Sequence, residues 1–166
     1  VMALAHELQQ DQWMYLNGVV LVSPADYELR YESGGIILPV VDFPYLTATA
    51  WYHQKLNNEM QSSSLGDVIK ISEEFAYDKL LPALAKGGSL ENDEKTVLAS
   101  SISSLTGIDF NEIMDNNLII STNFFWKELL RDEGYTIGRL DSRYKGIDSK
   151  DSGTYPEYPQ ELSSWD

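Results

Sequence analysis

His6 and His53 are the side chains of this chain best placed to move protons or bind metal near neutral pH. Neither stands in a metal-ligand spacing, and no HExxH occurs, so both read as surface or packing residues. There is no cysteine, which removes thiol nucleophiles, Cys-ligated zinc and disulfides. Gly-x-Ser-x-Gly, P-loop and GxGxxG patterns are absent, so neither a nucleophile elbow nor a phosphate cradle is encoded. The carboxylate pairs Glu73-Glu74 and Asp132-Glu133 are adjacent in sequence and therefore point to different parts of a helix surface. They read as solvated charge.

Two clusters remain. Pro44 to His53 is dense in aromatic and small residues, with Tyr45, Trp51, Tyr52 and His53 as candidate pocket residues. Aromatics at helical spacing also suit ordinary core packing. Gly138 to Tyr144 alternates Arg139, Asp141 and Arg143 on a segment too short to be a helix face. Two arginines there can clamp a carboxylate, or the Arg and Asp side chains can satisfy one another.

The elements that must position these clusters are mostly helical. Val1 to Tyr15 reads as an amphipathic helix, broken at Asn17-Gly18. Val19 to Val22 is a continuous apolar run, the pattern of a strand buried on both faces. Asp26 to Phe43 reads as irregular, with a Gly34-Gly35 hinge and Ile36-Ile37-Leu38 as a short strand. Pro44 suits a first helical turn, and Tyr45, Ala48, Tyr52 and Leu56 share one face of the helix it would start.

Asn57 to Gly66 reads as a polar linker. The next helix spans Asp67 to Lys86, with Val68, Ile71 and Phe75 on a stripe, a kink at Pro82 and an end at Gly87-Gly88. A third covers Asn92 to Leu105, with Asp93 and Glu94 in its first turn and Gly107 as its stop. Asp109 to Glu112 resembles a capping box, and Ser121 or Thr122 caps the last long helix, which stops at Gly134. Tyr135 to Leu140 reads as a short strand, followed by a polar tail.

The 166 residues suffice for one domain, and 43% hydrophobic content allows a core. A net charge of −14 sets the chain against phosphate backbones and anionic bilayers, so nucleic-acid and membrane-surface partners are not expected. No apolar run approaches the roughly 20 residues that a spanning helix needs. Nothing in the residues calls for a cofactor or a metal. Both ends read as cut from a longer polypeptide, since Val1 opens directly into helical text.

Taken in order, several words resemble the bacterial serine carboxypeptidase-like proteins. They are Leu16 to Ser23, Pro44-Tyr45 with Ala48 to His53, Lys127 to Gly134, and Ile137 to Arg143. The resemblance covers roughly residues 1 to 145. It implies an α/β-hydrolase whose Ser–Asp–His triad lies outside this chain, the serine upstream and the acid and histidine downstream. No catalytic residue is therefore assigned here.

The fold class expected is mainly α: the helical cap, or insertion domain, of an α/β-hydrolase, with one helix and one strand left over from its catalytic core. Residues 1–42 would be the core remnant, 43–140 the cap, and 141–166 a polar return segment. The implied substrate of the intact parent is a peptide trimmed at its C-terminus. Tyr45, Trp51, Tyr52, His53, Arg139, Asp141 and Arg143 would lie at the pocket, because the two clusters fall at the junctions between cap and core. The resemblance also suggests a secreted parent. The lack of cysteine departs from the disulfide-bearing eukaryotic members, whose carboxylate-binding residues are not carried over. The alternative is a free-standing acidic helical module that binds proteins and has no enzymatic parent. An orphan strand and helix would also favour self-association through residues 1–24.

Overall fold

The computed structural model describes residues 2–18, 20 and 35–160. Apart from Val20, which is exposed, the expected strand at Val19–Val22 lies outside the described residues, as do the Gly34 side of the hinge and residues 161–166. What is described is mainly helical.

The first helix, α1, spans Met2–Asp11 and ends short of Tyr15. None of its described side chains, nor any from there to Gly18, is buried.

The central element is α2, Ile37–Tyr52. It overturns two expectations. Ile36 to Leu38 do not form a strand, because Ile36 is the N-cap and Ile37 the first helical residue. Nor does Pro44 open the helix; it sits inside it. The proline that meets the first-turn rule is Pro39, whose missing N–H would have had no intrahelical partner. Pro44 leaves the Val40 carbonyl without its usual donor, and burial of the surrounding residues outweighs that loss.

The inward face differs as well. Val40, Phe43, Leu46 and Ala50 are buried, while Tyr45 and Tyr52 point outward. The Tyr45–Tyr52 stripe and the buried stripe are both apolar, so periodicity could not choose between them.

Residues 57–66 are not a plain linker. They hold α3 (Asn58–Ser62), capped by the Asn57 side chain, and they supply Ser64 as the cap of α4 (Leu65–Phe75). The helix expected to run unbroken to Lys86 passes instead through a π-helical turn, Ala76–Leu80, before α5, Leu81–Lys86. There the Leu81 N–H reaches back to the Ala76 carbonyl, and the added residue sits one turn before Pro82. The deviation expected at the proline is thus taken up N-terminal to it, and Ala76, Leu80 and Ala83 all stay in the core. Ile71, expected on the buried stripe, is 43% exposed.

The helix α6, Asn92–Thr106, matches its sequence signals: Asp93 and Glu94 lie in the first turn and Gly107 closes it at φ +72°. Asp109 caps α7 (Phe110–Asp115), its side chain accepting from the Asn111 N–H. Ser121 caps α8 (Thr122–Glu128), accepting from Phe124 N–H. A 3-10 turn at Arg131–Glu133 then leads to Gly134 in the left-handed region.

The helix α2 packs against α4, α6 and α8. Phe125, Leu46, Leu80, Ile102, Ile113 and Leu130 are among the largest apolar side chains closed off from solvent. A buried hydroxyl pair, Thr47 Oγ1 to Ser72 Oγ at 2.8 Å, joins α2 to α4, and Thr47 Oγ1 also donates to the Phe43 carbonyl at 3.3 Å.

After α8 the chain forms an antiparallel hairpin of β1 (Thr136–Ile137) and β2 (Lys145–Gly146). The strand expected over 135–140 is confined to β1. The described part of the polar tail folds back onto α8. Lys127 Nζ, 3% exposed, donates to Asp148 Oδ2 at 2.6 Å and to the Lys150 carbonyl at 2.6 Å. Thr136 Oγ1 donates to the same carboxylate, and Gln160 Nε2 reaches its other oxygen. Arg131 donates to the Asp151 and Gly153 carbonyls, so two cations of one helical stretch hold residues 148–153 of the return segment.

Candidate functional site

The β-hairpin loop, residues 138–144, is set by two backbone bonds: Gly138 N–H to Tyr144 O at 2.8 Å and Tyr144 N–H to Asp141 O at 3.1 Å. This loop meets the C-terminal end of α2. Thr49 Oγ1 donates to Ser142 Oγ at 3.1 Å, and His53 Nε2 lies 2.7 Å from the Ser142 carbonyl. A carbonyl only accepts, so Nε2 carries the proton and Nδ1 is the other, independent ring nitrogen. The Tyr52 ring stands edge-on to His53 with centroids 5.1 Å apart. The two sequence clusters therefore converge, through residues 89 and 93 positions apart.

Arg143 and Asp141 satisfy one another. Arg143 Nη2 reaches Asp141 Oδ2 at 2.6 Å and Nε reaches Oδ1 at 2.9 Å, while the Arg143 backbone N–H adds a third bond at 3.0 Å. Those hydrogen bonds hold the Asp141 carboxyl down to about 2 and push the Arg143 guanidinium above its ordinary value. Both stay charged across the physiological range. Tyr52, Arg143 and Tyr144 line an open cleft of about 320 Å³.

The other candidates are placed differently. Tyr45 lies two turns earlier on the Tyr52 side of α2, where its hydroxyl accepts from Trp126 Nε1 at 2.7 Å. Trp51 turns away from the cleft: its Nε1 donates to the Ser63 carbonyl at 3.2 Å, and its own carbonyl accepts from Gln61 Nε2. It ties the end of α2 to α3. Arg139 is exposed on the hairpin loop and has no ion pair among the described residues.

Thr49, Ser142 and Tyr144 belong to the cleft and its support, and sequence reasoning missed them. Thr49 and Ser142 carry no distinctive type or spacing. Tyr144 follows directly on the Arg/Asp alternation, which was the available signal. Among the described residues, no three His, Asp or Glu side chains converge as a metal site.

No family model matches the chain, and no curated protein or solved structure matches it either.

Proposed function

We propose that this chain is the helical cap of a serine carboxypeptidase-like hydrolase, shaping and closing the pocket over a triad carried elsewhere in the polypeptide. The observation that supports the reading is the convergence of the two clusters at Ser142. The end of the cap's first helix and the hairpin that leads out of the cap meet there, forming one aromatic, arginine-bearing rim. In this reading Tyr52, His53, Arg143 and Tyr144 face substrate, with Arg139 beside them. A cap of this kind acts by positioning the substrate and excluding water, not by supplying a nucleophile.

The substrate class is a peptide that presents its C-terminal carboxylate. Arg139, having no carboxylate partner among the described residues, is the better carboxylate ligand of the two arginines. Arg143 is already held by Asp141 and serves to shape the rim.

The test is kinetic. In the intact hydrolase, Arg139→Ala raises KM for peptide substrates about tenfold or more, with kcat much less changed, as loss of one charge-assisted contact predicts. The melting temperature stays near wild type, because the side chain is exposed. Unchanged kinetics would remove Arg139 from the site.

A further inference from the structure

Asn17 is the only asparagine of the chain that precedes a glycine. The pair lies beyond the end of α1 at Asp11, in a stretch where every residue from Gln12 to Gly18 is exposed. Neither Asn17 nor Gly18 forms a hydrogen bond among the described residues, so the Asn17 amide and the Gly18 N–H are both open to solvent. A Cβ built on Gly18 would meet nothing within 4 Å, so no other part of the chain crowds this backbone.

We infer that Asn17-Gly18 is a self-modification site, at which the chain converts Asn17 to aspartyl and isoaspartyl residues without an enzyme. The Gly18 backbone nitrogen, on losing its proton, attacks the Asn17 side-chain carbonyl carbon, Cγ. A bond forms between them, the Cγ–Nδ2 bond breaks, and Nδ2 takes up a proton and leaves as ammonia. Water then opens the five-membered imide. Hydrolysis at Cγ gives aspartate. Hydrolysis at the Asn17 main-chain carbonyl gives isoaspartate, with the main chain rerouted through the side chain. One water enters and one ammonia leaves, with no oxidant or reductant consumed. Glycine at position 18 lets the ring close, because a Cβ on the attacking residue obstructs its approach.

Three other asparagines, by contrast, are held away from this chemistry. Asn57 Oδ1 accepts from the Met60 N–H at 3.0 Å, Asn116 Nδ2 donates to the Glu112 carbonyl at 2.8 Å, and Asn117 Oδ1 accepts from Lys95 Nζ at 2.9 Å. The residues that follow them, Asn58, Asn117 and Leu118, all carry a Cβ. At Asn17 the product adds one negative charge to a chain whose net charge is already −14. Isoaspartate also lengthens the main chain by one methylene just beyond α1, and it presents a free α-carboxylate that a carboxyl methyltransferase can esterify.

The test is incubation of the present chain at mildly alkaline pH, with samples digested in acid and mapped by mass spectrometry. Isoaspartate is counted by methylation with an isoaspartyl carboxyl methyltransferase. The expected result is conversion of Asn17 with isoaspartate as the larger product. Its rate lies within about threefold of that in the same chain unfolded in guanidinium chloride, since an exposed segment without hydrogen bonds needs no opening. Asn57 and Asn117 remain amides over the same period. Gly18→Ala slows the conversion about tenfold or more, and circular dichroism stays that of wild type because the site is open. A native chain about tenfold slower than the unfolded one would overturn the inference, by showing that the fold shields the pair. Loss of Asn17 no faster than loss of Asn57, or an unchanged rate in Gly18→Ala, would overturn it as well. An acid product without isoaspartate would do the same, since it would mean direct hydrolysis in place of ring closure.

Discussion

Lys127 shows how far a single residue's role can lie from its local sequence. It sits in α8, where an exposed lysine is the ordinary expectation, yet it is buried against Asp148, 21 residues away. Burial raises the pKa of the Asp148 carboxyl. The hydrogen bonds from Lys127, Thr136 and the Glu157 backbone, with the Lys127 charge, outweigh that, so it lies below its ordinary value of 3.8. A carboxylate depressed on folding contributes stability that is complete above its unfolded value and is lost as pH falls through the folded one. Lys127→Met therefore destabilises the fold by about 3–5 kcal/mol at pH 7, since it leaves a buried carboxylate unpaired. The gap from wild type narrows below pH 4. Urea unfolding at pH 7 and pH 3 checks both, and a gap that does not change with pH would contradict the assignment. Nothing near Lys127 in the sequence could have shown this pair, because its partner arrives through the return loop. The Asp141–Arg143 pair was legible, since its members are two residues apart and mutual pairing was one of the two readings open.

At the scale of elements, α6 and α2 mark the two limits of what the sequence could tell. The acidic first turn of α6 and its Gly107 stop are local signals with local causes, and the structure follows them. Gly107 also has a tertiary reason. At φ +72°, a Cβ there would lie 2.9 Å from the backbone carbonyl oxygen of Lys55. Gly107→Ala should cost about 1–3 kcal/mol from the left-handed backbone and that contact together. Thermal unfolding reads the loss, and a variant as stable as wild type would show that the α6 end and the Lys55 segment are not held together. In α2 the local signal misled. Two prolines and two apolar faces made the start and the inward side ambiguous, and packing against α4, α6 and α8 decided both. The π-helical turn before Pro82 was likewise beyond local reasoning, because it keeps Ala76, Leu80 and Ala83 in one core.

For the whole molecule, the mainly helical character was legible from capped segments of helical period between Pro44 and Gly134. The folding of the tail onto α8 was not, since its polar composition carries no apolar pattern to follow. Chain order and resemblance led to the expectation that both clusters border one pocket, but not to their contact at Ser142, because Thr49 and Ser142, which make it, are unremarkable in type. The function proposed for this body is to cover a serine hydrolase site, to which it contributes rim and not nucleophile. Active-site labelling with a fluorophosphonate, on the present chain and on the intact protein side by side, tests it most directly. The expected result is no saturable labelling of any serine in residues 1–166, and stoichiometric labelling of one serine of the intact protein outside them. Saturable labelling within this chain, or none in the intact protein, would contradict it.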